Sequence, residues 1–245
     1  MAHPLQFFDS IDSTNIRAKL EAEQGAESGL LVVSDMQSAG RGRRGRGWES
    51  PAGINIYYTL MLKPDFSSDC APMLTLVMAL AVAKGIRQTL RRDSEEAAAK
   101  VGIKWPNDIV VDGKKVCGIL TEMSMEQGYI QHIVIGVGIN VRKQEFPEEI
   151  RDRAAAIDEQ CGFRISRSQL IADIMEAFEE DYEIFLRTHD LKGLRASYAE
   201  LLVNQDREVC VLDPKGEYRG IARGINDQGE LLVERQDGTV EEVYA

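Results

Sequence analysis

The stretch from residue 73 to residue 83 is apolar at every position except Thr75, and it limits what this 245-residue chain can become. A helix that is apolar around most of its circumference has to be covered on most sides, so sheets or other helices must pack around it. The run falls well short of the ~20 residues a membrane span requires, which leaves a protein core as its place. Pro72 opens the helix at a position where a missing N–H costs nothing. Arg91 and Arg92 end it with the charge that suits a helix C-terminus. With 44% hydrophobic and 28% charged residues, the composition is that of a globular protein able to bury a sizeable core. The length fits one large domain, or a large one followed by a small one.

Strands are expected over residues 30–33 and 54–62, on either side of a loop rich in glycine and arginine. Three more follow the long helix, around residues 101–105, 115–125 and 129–137, with Asp112-Gly113 and Gln127-Gly128 as turns. From Pro147 to about Asn204 the pattern is helical. Its clearest stripe at a 3.6-residue period is Leu170, Ile174, Ala177, Phe178, Tyr182 and Phe185. After Asn204 short strand-like runs alternate with Asp213-Pro214-Lys215-Gly216, Asn226-Asp227-Gln228-Gly229 and Asp237-Gly238, the pattern of a small all-β barrel. The expected fold class is therefore α+β, with a mostly antiparallel sheet over residues 1–204 and a small β domain over residues 205–245.

Lys and Arg number 29 against 40 Asp and Glu, a net charge of −11, so nucleic-acid binding would need a local basic patch. Cys70, Cys117, Cys161 and Cys210 lie more than forty residues apart and offer neither a zinc spacing nor a disulfide framework. His3, His132 and His189 are scattered and support neither a metal site nor a catalytic triad. The N-terminus has no basic segment followed by an apolar one, so no secretory signal is expected and the cytoplasm is.

Four segments carry chemistry. In the first, Gln37-Ser38-Ala39-Gly40-Arg41-Gly42-Arg43-Arg44-Gly45-Arg46-Gly47-Trp48, glycines separate four arginines and a tryptophan follows. Gly40, Gly42 and Gly45 formally match a dinucleotide motif, but the residues after Trp48 start no helix to hold a pyrophosphate. An RGG-like nucleic-acid patch and a solvated loop are the other readings. The chemistry on offer is an anion clamp, with guanidiniums for phosphate or carboxylate and an indole for a planar ring. The second segment is Lys104-Trp105-Pro106-Asn107-Asp108. Here Lys104 either snorkels to solvent or places a point charge on a phosphoryl or acyl-phosphate oxygen. Asn107 and Asp108 either cap a turn or help hold a hydrated metal ion.

In the third segment, Gly118, Gly136 and Gly138 interrupt apolar strands. Each is either a bulge or part of a flat floor for a small molecule. The fourth is Asp12-Ser13-Thr14-Asn15, where Ser13 or Thr14 either caps a helix or hydrogen-bonds a urea or carboxylate.

Taken together, Asp12-Ser13-Thr14-Asn15, the arginine loop, Ser50-Pro51-Ala52-Gly53-Ile54-Asn55, Lys104-Trp105-Pro106-Asn107-Asp108, Lys115-Val116-Cys117-Gly118-Ile119-Leu120-Thr121-Glu122 and Gly136-Val137-Gly138-Ile139-Asn140 resemble the biotin protein ligase family. They occur in that family's order and approximate spacing, over residue 5 to the end. The resemblance implies a mixed-sheet catalytic domain of the biotin/lipoate ligase and class II synthetase type, followed by an SH3-like domain. It also implies the ligase-only type, since the chain starts at the catalytic domain without a helix-turn-helix. The chain stops at Ala245 where relatives usually continue with a further strand, and Cys117 stands where some have Ala.

The implied reaction activates biotin with ATP to biotinyl-5′-AMP and then transfers it to a lysine of a biotin carboxyl carrier domain. Mg²⁺ is implied with ATP, its ligands unassigned. The resemblance places Ser13, Thr14, Asn15, Gln37, Gly40, Gly118 and Gly136 around biotin. Arg41, Arg43 and Lys104 fall on its carboxylate and the phosphate, with Lys104 and Arg43 as the catalytic pair. Arg46, Trp48, Asn107 and Asn140 fall on the nucleotide, and Arg223 reaches it from the small domain. Neither nucleic acid nor membrane is an expected partner, and the oligomeric state, homodimer included, stays open. A lipoate ligase on the same fold is the alternative enzyme. Ser13, Thr14 and Gln37 favour a urea-like ring, which needs paired donors and acceptors, over a dithiolane, which needs an apolar slot.

Overall fold

The computed structural model describes residues 4–212 and 216–244. Its elements, in chain order, are β1 (Leu5–Phe8), α1 (Thr14–Glu23), β2 (Leu30–Ser34), β3 (Ile56–Leu62), α2 (Met73–Arg91), α3 (Glu95–Ala99), β4 (Val101–Lys104), β5 (Asp108–Val111), β6 (Lys114–Glu126) and β7 (Tyr129–Ile139). They continue with α4 (Ile157–Cys161), α5 (Arg167–Thr188), α6 (Arg195–Leu201), β8 (Glu208–Val211), β9 (Tyr218–Ile225), β10 (Leu231–Glu234) and β11 (Val240–Val243).

Seven strands form one sheet in the order β1-β2-β3-β7-β6-β5-β4. Only β1 and β2 run parallel, and every other neighbouring pair is antiparallel. All seven residues of β3 are buried, because the sheet is covered on both faces. On one face Ala18 and Ala22 of α1 meet Leu30, Val32, Met61 and Val134. On the other lies α2, whose length and composition alone would let it cross a membrane, but whose apolar residues are spent against the sheet and α5. Leu74, Val77, Met78, Leu80, Ala81 and Ile86 are completely buried there. Each large aliphatic side chain so placed contributes about 1.5–3 kcal/mol.

The expected β domain is a four-stranded antiparallel sheet, β11-β10-β9-β8. Its Ala222, Ile225, Leu231 and Val233 join the same apolar core as α2. Trp105 Nε1 donates to the carbonyl of Gly229 at 2.9 Å and ties the two sheets together. The turn expected at Asp213-Pro214-Lys215-Gly216 lies, except for Gly216, outside the described residues, as does His3.

Two strands were not expected. β1 is a four-residue edge strand with every second side chain exposed. β5 is a separate strand inside what reads as a turn region, pairing Ile109 with Ile103 on one side and Cys117 on the other.

Candidate functional site

The arginine loop leaves β2, folds back on itself and returns to β3. The N–H of Gly42 donates to the carbonyl of Arg46 at 2.8 Å, and the N–H of Trp48 to that of Gly40 at 2.9 Å. Between them Arg43–Gly45 forms a single tight turn in which Arg44 has φ 57°, a left-handed conformation unusual for a residue with a side chain. Gly40 has no room for a Cβ, which would strike the Trp48 carbonyl and the Ser50 hydroxyl.

Arg43 and Arg44 are adjacent, yet their side chains differ in exposure. Arg43 is half-buried and its Nη1 donates to Asn107 Oδ1 at 2.9 Å. Asn107 in turn donates from Nδ2 to the carbonyl of Ile119 at 3.0 Å, so the loop is latched onto the β4–β5 turn. Burial first, then the charge of Arg44, pull the Arg43 guanidinium below its usual pKa, with Asp108 opposing. It stays a cation at neutral pH. Asp108 pairs with Lys115 at 2.6 Å, and Lys115 Nζ stands 5.5 Å from the ring centroid of Trp48.

The indole of Trp48 lies against the glycines of β6 and β7. A Cβ on Gly118 would come within 2.9 Å of Trp48 Cζ3, and one on Gly138 within 2.5 Å of Cε2 and Nε1. The glycine floor thus has the Trp48 indole resting on two of its three glycines. Above Gly136 the side chain of Asn15 fills the corresponding space.

A second, neutral cluster lies at the start of α1. Ser13 takes the N-cap position with extended backbone, but its side chain makes no capping hydrogen bond. A residue twenty-three positions away acts instead, with Gln37 Oε1 accepting the N–H of Thr14 at 2.8 Å and lying 3.1 Å from the Thr14 hydroxyl. Gln37 Nε2 donates to Ser50 Oγ at 3.0 Å, and Ser50 Oγ donates to the carbonyl of Trp48 at 3.0 Å. Thr59 Oγ1, fully buried in β3, is 2.8 Å from the Thr14 hydroxyl and donates to Asn15 Oδ1 at 2.6 Å. Asn15 Nδ2 donates to Glu122 Oε2 at 2.8 Å. Both ends of the Asn15 carboxamide are therefore committed to protein, which makes Asn15 a support for its neighbours.

Glu122 also meets Lys19 at 2.8 Å and Arg41 at 3.5 Å. Burial alone would raise its pKa, but the hydrogen bonds from Asn15 and Lys19 and the charges of Lys19 and Arg41 outweigh that and hold it below the usual carboxylate range. A cavity of ≈ 370 Å³ lies between the loop and the sheet, lined by Gly40, Arg41, Arg44, Arg46, Leu120 and Glu122 among others.

The remaining candidates fall in different places. Lys104 ends β4 with its side chain exposed, opposite Asp108 in the ladder. Arg46 is exposed. Asn140 is buried just beyond β7, where its N–H donates to the carbonyl of Val116 at 2.8 Å. Arg223 is exposed in β9 and pairs with Asp206 at 2.7 Å and Glu234 at 2.6 Å.

Among the described residues no three His, Cys, Asp or Glu side chains converge on a point that a metal ion could occupy. Asp108, the carboxylate beside Arg43, is spent on Lys115. The residues present do not fit a magnesium cage of the protein's own.

Three residues of this site carry no assignment from the sequence alone: Lys115, Glu122 and Thr59. The available signal is polarity out of place. Apart from its two tyrosines, Thr59 is the one polar residue of β3, and Glu122 is a charge inside a strand facing the loop.

A cationic loop laid over a mixed sheet beside a neutral polar cradle suits a reactant that is charged at one end and polar at the other, and the comparisons with known proteins define the chain as a ligase in class. Residues 7–140 match the Biotin/lipoate A/B protein ligase family, and residues 206–245 match the Biotin protein ligase C terminal domain. The chain belongs to the Biotin/lipoate A/B protein ligase family. It is 38% identical to the Bifunctional ligase/repressor BirA of Bacillus spizizenii, over all of this chain and 73% of that protein. A biotin–(acetyl-CoA-carboxylase) ligase of Paracoccus denitrificans is 30% identical over 91% of this chain and 90% of its own length. Among solved structures, the biotin protein ligase from Aquifex aeolicus in complex with biotin and ATP superposes with a TM-score of 0.82 at 28% identity, covering 99% of this chain and 96% of that one.

Proposed function

We propose that this chain is a biotin protein ligase that joins biotin to ATP as biotinyl-5′-AMP and then passes the biotinyl group to a lysine of a carboxyl carrier domain. One observation carries the reading. The neutral hydrogen-bonding cluster of Thr14, Gln37 and Thr59 adjoins the cationic loop that holds Arg43, with Gln37, Ser50 and Trp48 linking the two. A neutral cradle beside a cationic clamp suits a reactant with a urea-like ring at one end and a carboxylate at the other.

In the first step the biotin carboxylate attacks the α-phosphate and pyrophosphate leaves. A carboxylate is already a nucleophile at pH 7, so the site needs positioning and charge neutralisation and no general base. Arg43, Lys104 and Lys115 supply positive charge around the reacting oxygens, and Trp48, backed by Gly118 and Gly138, offers its indole to the adenine. In the second step the acceptor lysine, as a free amine, attacks the acyl carbon and AMP departs. Magnesium enters as part of the nucleotide substrate, and no step here is routed through it.

We further take residues 1–204 as the catalytic domain and 205–245 as the C-terminal one. The cytoplasm is the proposed place of action, supported by four cysteines that are all free thiols. ATP–pyrophosphate exchange measured with biotin, with lipoate and with neither tests the activity. Exchange that depends on biotin supports the reading, exchange driven by lipoate replaces it, and exchange with neither or none at all refutes it. Transfer to a purified carrier domain checks the second step.

A further inference from the structure

We infer that Glu122 is a positioning residue that sets the donor–acceptor polarity of the cradle at the start of α1, and thereby presents the Thr14 hydroxyl as an acceptor to an N–H of the substrate's urea ring. The inference rests on the function proposed above.

A row of side chains passes its donor–acceptor sense from Glu122 to Thr14. An ionised carboxylate can only accept, so Glu122 Oε2 at 2.8 Å compels Asn15 to turn its NH₂ toward it. The backbone carbonyl of Leu120, 3.4 Å from the same nitrogen, reinforces that orientation. Asn15 Oδ1 then faces Thr59, and the 2.6 Å contact there must be filled by the one hydroxyl proton Thr59 owns. Thr59 Oγ1 is left with lone pairs toward Thr14, 2.8 Å away, and the Thr14 proton goes inward, to Thr59 or to Gln37 Oε1 at 3.1 Å. Gln37 is fixed from its other side. Its Oε1 accepts the Thr14 N–H at 2.8 Å, and its Nε2 faces Ser50 at 3.0 Å. With its proton directed inward, the Thr14 hydroxyl has only lone pairs to offer a ligand.

Ser13, Thr14, Asn15 and Thr59 are all less than 5% exposed, so water does not scramble this row. Glu122 itself is held ionised by Lys19 and Arg41, the latter from the loop that covers the cavity. A glutamine at 122 could donate as well as accept. Asn15 would then be free to flip and Thr59 to turn its proton toward Thr14, occupying a lone pair that Thr14 otherwise holds for the ligand while Gln37 Oε1 and the ligand compete for the Thr14 proton.

The test is a charge relocation measured by ATP–pyrophosphate exchange over a range of biotin concentrations. Glu122→Gln should raise the KM for biotin about 10-fold, the effect of one mispaired buried hydrogen bond, with kcat and the KM for ATP within about threefold of the parent. Asn15→Asp alone sets two carboxylates against each other and should raise the biotin KM at least as much. In the double variant Asn15→Asp/Glu122→Gln, the new amide at position 122 donates to the new carboxylate at position 15, whose other oxygen still accepts from Thr59. The original polarity returns, and the biotin KM should return to within about threefold of the parent. A merely structural Glu122 predicts additive losses in the double variant, and that result overturns the inference, as does an unchanged biotin KM in folded Glu122→Gln. Should Glu122→Gln fail to fold, recovery or its absence in the double variant decides alone. If the unsubstituted chain shows no biotin-dependent exchange, the functional reading fails first and this inference with it.

Discussion

Replacing Gly138 by alanine should separate nucleotide binding from biotin binding, because the three atoms nearest the new methyl group all belong to Trp48. Its Cβ would stand 2.5 Å from Trp48 Cε2 and Nε1, whereas ordinary van der Waals contact begins near 3.4 Å. The indole must therefore lift by about 1 Å. The sheet cannot yield instead, since Gly138 pairs with Tyr57 of β3 on one side and Gly118 of β6 on the other. Displacing a stacking surface by about 1 Å costs on the order of 10²-fold when it positions a reactant. The same reasoning grades a second variant. On Gly118 the Cβ would stand 2.9 Å from Trp48 Cζ3, which asks for a lift of about half that size. The KM for ATP should rise roughly 100-fold in Gly138→Ala and roughly 10-fold in Gly118→Ala, while the KM for biotin moves less than threefold in Gly138→Ala. Trp48 is only part-buried, so the melting temperature should fall by no more than a few degrees. Initial-rate exchange assays varying ATP and biotin separately measure both constants. An unchanged ATP KM in folded Gly138→Ala, or a larger effect at Gly118 than at Gly138, would refute the view that these glycines seat Trp48 for the nucleotide.

What the sequence makes legible here is whatever a single element decides for itself. The α2 run declares its own burial, and the glycines of β6 and β7 announce a close approach because nothing else explains small residues in apolar strands. Their partner is another matter. That Trp48 rather than a ligand lies on Gly118 and Gly138, and that Asn15 fills the space over Gly136, follows from a register in which Gly118 pairs with Gly138 and Leu120 with Gly136. Register is a property of two strands and is not visible in either one. The same limit hides β5, whose four residues are too few for a periodic signal and become a strand only because β4 and β6 flank them. Arg223 shows what a motif leaves out. A motif assigns it to the nucleotide, and the motif does not show that Asp206 and Glu234 pair with it.

Three further predictions concern the latch, the lysine at the end of β4 and the buried His132. Asn107→Ala removes the acceptor that holds Arg43 at 2.9 Å, so trypsin should cut the arginine loop several-fold faster than in the parent, and saturating biotin with ATP should slow cleavage in the parent. Equal cleavage in all samples would show that Asn107 is no latch. Lys104→Ala should lower the exchange rate about 10²–10³-fold, with stability unchanged within about 0.5 kcal/mol, because its side chain is exposed at the end of β4. A near-normal rate would remove it from the chemistry. His132 is 1% exposed and neither ring nitrogen makes a hydrogen bond, so its imidazole is buried neutral beneath α1. Burial first, with Lys19 and Lys63 adding and Glu23 opposing, pulls its pKa below 6.5. The unfolded chain binds a proton near pH 6.5. The native chain binds it only at lower pH, so acid favours unfolding. The contribution to stability is whole above about pH 6.5 and is lost as the pH falls below it, by at most about 1.4 kcal/mol per pH unit. Urea midpoints between pH 7.5 and 5.5 should therefore fall more steeply in the parent than in His132→Leu, which has no proton to take up at that position. Parallel curves would mean that His132 either finds an acceptor on protonation or is reached by water, and that α1 is not held down by a neutral ring.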